Sequence, residues 1–167
     1  MSPALDSIAS FPPFELSDLD ESWNLTRRFD TKFLMSASAM DQFLRDSTTE
    51  FAALEIDGRR AFSYRTTYFD SPDLLFYRDH AQKRKRRVKV RLREYVESHR
   101  TRLEVKAKLG NGQTQKAIFE NHSKLGPAET RLVGNAISEI YPTPRYDSIA
   151  STLVESAVTR FIRSTLI

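Results

Sequence analysis

The sequence predicts an α+β fold, and two patterns carry that prediction. Residues 84–93 read RKRRVKVRLR, in which cations recur at every second position from Lys85 onward, and Val88, Val90 and Leu92 fill the positions between those from Arg87 to Arg93. A period of two is typical of a half-buried strand with one charged and one apolar face. Between Leu132 and Ile140 the apolar residues instead recur at helical spacing. At 167 residues the chain is long enough for one domain with a sizeable core.

The elements before the cationic strand follow from local signals. The acidic, Pro-containing lead-in, residues 1–22, is expected to be a flexible N-terminal tail that precedes a domain over residues 23–167. Residues 23–35 alternate apolar and charged side chains and are predicted to form a strand. Ser36 is a candidate N-cap for a short helix over residues 37–45.

A second group of elements is predicted between residues 51 and 80. Residues 51–56 are expected to be extended and to end in a turn at Asp57-Gly58. The aromatic, Thr-rich stretch over residues 61–69 favours another strand. Ser71-Pro72 then reads as an N-cap followed by a proline at the first helical position, which predicts a helix from there to about His80.

The remaining elements are predicted from alternation, glycine and helical spacing. In chain order they are the cationic strand over residues 85–95, an alternating strand over 100–108, a glycine turn at 110–112, a strand over 113–120, a helix over 127–140 ended by Pro142 and Pro144, and a final strand over 157–167.

Charge is concentrated in one part of the chain. Between Lys83 and Lys108 there are 12 basic residues against three glutamates, although the whole chain has a net charge of only +4. Such local concentration indicates a polyanionic partner. The chain has no cysteine, which excludes disulfides and thiolate metal sites and is typical of a cytoplasmic protein. No apolar run approaches the roughly 18 residues needed to span a bilayer, so no transmembrane segment is expected.

Patterning alone leaves two arrangements of the charged strand faces open. In an ordinary layered sheet the charged faces would lie in water, where they could also meet a nucleic acid. If the sheet instead curls with these faces inward, it encloses a polar tunnel, and helices cover its apolar exterior.

Several segments, in their order and spacing, resemble the VTC domain, the polyphosphate polymerase branch of the triphosphate tunnel superfamily. They are residues 28–33 (RFDTKF), 67–70 (TYFD), 89–95 (KVRLREY) and 103–106 (LEVK), followed by Lys116 after a glycine turn. No single segment is specific for the family, but the whole set in this order is much more specific.

The resemblance implies an antiparallel, tunnel-type β-barrel with flanking helices, of which about five to six strands are present in this chain. It further implies that a basic tunnel binds the triphosphate of ATP, or polyphosphate, and passes the γ-phosphoryl group to a growing polyphosphate chain. A divalent metal, Mn²⁺ or Mg²⁺, would bridge the phosphates. The family's last strands, which carry the main metal-binding glutamate, have no counterpart here, so we expect a truncated barrel with impaired activity.

The same resemblance assigns individual residues. Four are expected to act in catalysis as phosphate ligands: Lys32, Arg91, Arg93 and Lys106. Four more are expected to bind substrate phosphates: Arg28, Lys89, Lys116 and Arg163. Glu104 is expected to orient its neighbours Arg102 and Lys106, or to help hold the metal.

A second functional class is a non-catalytic module that binds polyphosphate, another polyanion or RNA. RNA recognition usually adds exposed aromatic side chains on which bases stack. No aromatic residue interrupts the cationic stretch before Tyr95, which makes a nucleic acid the less favoured partner.

Overall fold

The computed structural model describes residues 3–18, 31–146 and 148–167. Within these ranges the helices are α1 Pro3–Ile8, α2 Ala37–Asp46, α3 Leu75–Ala81 and α4 Pro127–Ile140. The strands are β1 Pro13–Glu15, β2 Ala53–Glu55, β3 Phe62–Asp70, β4 Arg87–Tyr95, β5 Arg100–Lys108, β6 Thr114–Glu120 and β7 Val154–Arg163. The predicted α+β class is confirmed. No helix in these ranges is both long and apolar enough to span a membrane.

The chain divides into two compact units. The first comprises the residues up to Phe62 together with Ile162–Ile167, and the second comprises Ser63–Phe161. In the first unit, β1 and β2 pair in parallel. Its small core contains the buried side chains of Ile8, Phe11, Leu44 and Ala53. Residues 3–18, within the lead-in expected to be a flexible tail, therefore contain regular structure with buried side chains.

Two local predictions in the first unit are confirmed. The Ala39 backbone N–H donates to Ser36 Oγ at 3.1 Å, so Ser36 caps α2 as expected. Asp57 and Gly58 form a turn with φ of 51° and 71°, which is the left-handed geometry of a tight hairpin turn. The predicted strand over residues 23–35 lies mostly outside the described residues, and its described end, residues 31–35, has no regular secondary structure.

A five-stranded antiparallel sheet forms most of the second unit, in the order β6-β5-β4-β3-β7. β6 and β7 are the edges of this sheet, so the described residues form no closed barrel. An open sheet is compatible with the incomplete barrel that the sequence predicts. β7 begins three residues earlier than predicted, at Val154, and ends at Arg163.

One face of the sheet is packed beneath α3 and α4. In β4 the side chains of Val88, Val90 and Leu92 are buried, and Val133 and Ile137 of α4 belong to the same core. Each such side chain contributes roughly 1.5–3 kcal/mol when it is fully buried. This apolar packing fixes which face of each strand turns away from the helices.

The start of α3 differs from the prediction. The helix begins at Leu75 rather than at Ser71-Pro72, because Leu74 adopts a left-handed φ of 57° that a helix cannot continue. The carboxylate of Asp70 accepts hydrogen bonds from the backbone N–H groups of Phe76 and Tyr77, both at 2.8 Å. Asp70 thus caps the helix from the end of β3 and ties α3 to the sheet.

A buried carboxylate fixes the other end of α3. Asp79 is fully buried and accepts hydrogen bonds from Arg145 Nη2 at 2.5 Å and from the Tyr146 hydroxyl at 2.8 Å. Arg84 Nε lies 3.0 Å from the same carboxylate. These contacts join α3 to the segment that leads into β4 and to the short 3-10 helix Pro144–Tyr146.

Replacement of Asp79 by Ala should lower the free energy of unfolding by about 2–3 kcal/mol, because two guanidinium groups and a buried hydroxyl lose their acceptor. Chemical denaturation followed by circular dichroism measures this change. The matched control is Arg65→Gln, which removes an exposed ion pair with Glu94 and should cost less than about 0.5 kcal/mol. Equal effects of the two substitutions would contradict the role given to Asp79.

Candidate functional site: a cationic sheet face

The face of the sheet that points away from α3 and α4 is cationic. Alternation along β4 places its charged side chains opposite the buried Val88, Val90 and Leu92, and residues directly opposite in neighbouring strands share a face. We define the cationic face as Arg87, Lys89, Arg91 and Arg93 of β4, Arg102, Glu104, Lys106 and Lys108 of β5, and Lys116 of β6.

Three lysines form a row across this face. Lys89 lies directly opposite Lys106, which lies directly opposite Lys116 on the next strand. Cβ atoms in such pairs are about 4.5–5.5 Å apart. All three side chains are exposed, and none forms an ion pair with a carboxylate that the structure describes. The lysine row, meaning these three residues, is therefore a concentration of positive charge without local compensation.

The environment of Lys89 reflects this crowding. Neighbouring groups displace part of the water around the Lys89 ammonium and so lower its pKa, and the charges of Arg87, Arg91 and Lys106 lower it further. A bound anion would relieve this repulsion, since it favours the charged form of each lysine.

Glu104 organises the arginines beside the lysine row. Arg91 donates to Glu104 Oε2 from Nε at 2.8 Å and from Nη2 at 2.5 Å. Arg93 Nη1 lies 4.0 Å from Glu104 Oε1. Burial alone would lower the pKa of Arg91, but its contact with Glu104 outweighs burial and raises that pKa. The sequence predicted that Glu104 orients Arg102 and Lys106. Its observed contacts are instead with arginines of β4, because the register places Arg91 opposite it.

Aromatic rings support the guanidinium groups at one end of the face. The Arg93 guanidinium lies 5.6 Å from the centre of the Tyr64 ring, and that of Arg102 lies 5.2 Å from the Tyr95 ring. Tyr64 also stacks on Phe161, with ring centroids 5.1 Å apart. Sequence analysis did not identify these aromatic supports, because the pairs are formed by residues on different strands.

Three buried polar atoms at this end have no hydrogen-bond partner among the described residues: Thr66 Oγ1, Arg93 Nε and Arg102 Nε. Arg102 Nε lies 2.8 Å from Glu120 Oε1 in an ion pair, whereas Thr66 and Arg93 lie directly opposite each other on β3 and β4. Buried polar groups are normally hydrogen-bonded, so such a pair indicates a place for a ligand atom or an ordered water. Thr66 was not identified from the sequence, since only the strand register brings it to Arg93.

Three of the predicted site residues are not part of the cationic face as described. Lys32 is exposed in the irregular segment 31–36, and Arg163 is the exposed last residue of β7; both belong to the first compact unit. Arg28 lies outside the described residues. The structure brings together Lys89, Arg91, Arg93, Glu104, Lys106 and Lys116.

Potential metal ligands are not clustered in the part of the chain that the structure describes. In the ranges 3–18, 31–146 and 148–167 no three His, Asp or Glu side chains are grouped as metal ligands. Glu104 is instead the partner of Arg91 and Arg93. Glu104 is therefore hydrogen-bonded to the guanidinium of Arg91 and lies near that of Arg93.

Neutralising the central lysine of the row should stabilise the fold. We expect Lys106→Gln to raise the free energy of unfolding by about 0.5 kcal/mol, because it removes two directly opposed like-charge pairs. The gain should shrink in high salt, where exposed charges are screened. Urea denaturation at low and at high ionic strength measures both effects, with the exposed Lys124→Gln as the matched control. A loss of stability in Lys106→Gln at low salt would contradict the repulsion.

Comparison with known proteins identifies the family. Residues 27–128, more than half of the 167-residue chain, match the sequence model of the VTC domain. The matched part includes β3 to β6 and therefore the lysine row, Arg91, Arg93 and Glu104. No match was found among curated proteins. The family match indicates a polyphosphate-related function in general terms. As the set of segments between Arg28 and Lys116 predicted, the chain belongs to the VTC domain family.

Proposed function

We propose that the cationic face binds the triphosphate of ATP or a polyphosphate chain, and that the domain is a phosphotransferase that passes the γ-phosphoryl group to a growing polyphosphate. The observation that carries the proposal is the lysine row, three directly opposed ammonium groups without a described carboxylate partner, in a member of the VTC domain family. Compensation of that charge requires a polyanion, which is what a chain of phosphates provides.

The two kinds of cation on this face suit different tasks. Phosphoryl transfer needs alignment of the reacting groups and neutralisation of charge rather than covalent help from the protein. Arg91 and Arg93 lie beside Glu104, so their planar donors can fix phosphate oxygens in one orientation. The ammonium groups of the lysine row are point charges that can follow a chain in several registers.

Of the proposed phosphate ligands, Arg93 is the one best supported by the structure. Its Nε is buried without a partner, whereas Arg91 uses both Nε and Nη2 for Glu104. A phosphate oxygen beside Arg93 could also accept a hydrogen bond from the unpartnered hydroxyl of Thr66. Lys32, Arg28 and Arg163 remain proposed ligands on the ground of the family resemblance.

The proposal includes a divalent ion, which would be bound mainly by the phosphates of the nucleotide and not by the described residues. Mg²⁺ is usually held by one or two carboxylates together with substrate phosphates and retains several waters. Since the described residues offer no group of carboxylates, we assign the protein's own contribution to its cations.

The second candidate function is a polyphosphate-binding module without catalysis. It is supported by the same lysine row, since three opposed ammonium groups attract a polyanion whether or not a phosphoryl group is transferred. RNA is a weaker candidate, because the aromatic rings beside the arginines already contact one another: Tyr64 is stacked on Phe161 and lies under Arg93. Bases would find few open ring faces there.

Polyphosphate binding should depend on the lysine row. We expect the double substitution Lys89→Gln and Lys106→Gln to weaken the binding of inorganic triphosphate at least about tenfold at low salt, since each charged hydrogen bond contributes about 1.5–3 kcal/mol. Isothermal titration calorimetry measures the affinity. A paired Lys83→Gln and Lys124→Gln variant has the same net charge and should change it less than threefold. Equal weakening in both variants would indicate a non-specific charge effect and reject the site.

Catalysis should depend on the oriented arginines. Purified protein mixed with ATP and Mn²⁺ or Mg²⁺ is expected to produce polyphosphate chains that are resolved on a gel. Arg91→Ala together with Arg93→Ala should reduce this product at least a hundredfold, because the transferred group loses both planar ligands. If the unaltered protein binds triphosphate yet produces no chains, the catalytic proposal fails and the binding module stands.

A further inference from the structure

The loop between α3 and β4 carries four consecutive cations. Residues 83–86 read KRKR, and all four side chains are exposed. We define the basic loop as residues 82–86. It lies at the end of the sheet where β4 begins, β5 ends and β6 begins, because Arg87 is directly opposite Lys108 and Lys108 is directly opposite Thr114. The basic loop therefore adjoins the strands of the cationic face without belonging to them.

The backbone of the basic loop is tied to the end of α3. The N–H of Lys83 donates to the carbonyl oxygen of His80, and that of Arg84 donates to the carbonyl oxygen of Asp79, both at 3.0 Å. Arg84 Nε also lies 3.0 Å from the fully buried carboxylate of Asp79. One cation of the loop thus serves as its anchor, and the others are presented from a fixed support.

The other cations at this end of the sheet have no local counter-charge. Residues 80–93 and 105–119 contain no aspartate or glutamate. The carboxylate of Asp79 is already shared by Arg84 and Arg145. Five cations form no ion pair with a carboxylate that the structure describes, and we call them the basic end: Lys83, Lys85, Arg86, Arg87 and Lys108. A cluster of this kind attracts a surface of negative charge.

We propose that the basic end docks on an anionic lipid surface, meaning a bilayer leaflet that contains acidic phospholipid headgroups. Clusters of about four to eight lysine and arginine residues are attracted to such leaflets. The inference goes beyond the proposed function and does not depend on it, since Lys83, Lys85 and Arg86 are not among the proposed phosphate ligands.

The composition of this end favours a lipid surface over a protein or a nucleic acid. Interfaces between proteins have an apolar core with aromatic anchors, and single-stranded nucleic acids stack on exposed rings. Residues 82–87 and 108–113 contain no aromatic residue, and their one large apolar side chain, Leu109, is partly buried against the core. Electrostatic attraction to a headgroup layer requires charge but no apolar anchor.

The inferred orientation distinguishes the two ends of the sheet. The nine residues of β4 separate its ends by about 30 Å. A membrane bound at the basic end should therefore contact the turn between β5 and β6, residues 110–112, which lies at the same end. It should not reach the turn between β4 and β5, residues 96–99, which lies at the other.

Vesicle binding tests the inference directly. At low salt the unaltered protein should sediment with vesicles of phosphatidylcholine that contain about one third phosphatidylserine, and not with pure phosphatidylcholine. Replacing Lys83, Lys85 and Arg86 together by Gln should weaken this binding about a hundredfold, or roughly fivefold for each cation removed. Because Arg86 lies over the Tyr141 ring, a second variant retains it. That variant, Lys83→Gln with Lys85→Gln, should lose about twenty-five-fold.

A matched control removes the same net charge elsewhere. Arg100→Gln, Lys124→Gln and Arg131→Gln replace three exposed cations outside the basic end. Together they should weaken vesicle binding less than about threefold, since charges held more than a Debye length from the headgroups are screened. The affinity for inorganic triphosphate, measured in parallel, should remain within about threefold in all variants, because the lysine row and both arginines beside Glu104 are intact.

Site-specific labels give a second readout, since the chain has no native cysteine. Asn111→Cys places an environment-sensitive fluorophore in the turn at the basic end, and Ser98→Cys places it in the turn at the other end. Anionic vesicles that carry a headgroup quencher should quench the label at position 111 and leave the label at position 98 unchanged.

Three results would overturn the inference. The first is equal binding of the unaltered protein to anionic and to neutral vesicles, and the second is an equal loss in the basic-end variant and its control. The third is a basic-end variant that keeps its vesicle binding but loses affinity for long-chain polyphosphate, which would assign these cations to a soluble polyanion. Since triphosphate binding is measured separately, each of these results leaves the proposed function standing.

Discussion

The register of β4, β5 and β6 is the constraint on which the rest of the second unit depends. Because side chains alternate, the same pairing that buries Val90 against Val105 places Lys89 against Lys106. Each fully buried aliphatic side chain contributes roughly 1.5–3 kcal/mol, whereas a like-charge pair across strands costs about 0.2–1 kcal/mol. Burial therefore wins, and the lysine row is held in place despite its repulsion. A slip of one residue would turn the lysines into the core.

Carboxylates on both faces of the sheet fix the positions of α3 and of the arginines. Asp70 and Asp79 fix the two ends of α3, and Arg84 carries the Asp79 contact to the segment before β4. On the opposite face, Glu104 contacts Arg91 and Arg93, two of the three arginines of β4. The carboxylates thus position arginines but leave the charge of the lysine row uncompensated. The surface is therefore ordered and still attracts a flexible polyanion.

Much of this organisation could be predicted from local sequence. The limits of β5 and α4 were predicted correctly, since charge alternation and helical spacing are strong local signals. The start of α3 was predicted three residues too early, because Asp70 caps it through backbone groups beyond the Ser-Pro signal. The metal function suggested for Glu104 stays a prediction of the family resemblance, and its observed partners are arginines.

The sequence by itself determined the class of the fold, the cationic character of one strand face and the family, because these depend on the order of residues along the chain. Only the tertiary structure decided which cations meet. The pairing of Arg91 with Glu104, the position of Thr66 beside Arg93 and the anchoring of the basic loop all depend on strand register and on the docking of α3. Contacts of that kind are set by packing between segments distant in sequence, which no local pattern encodes.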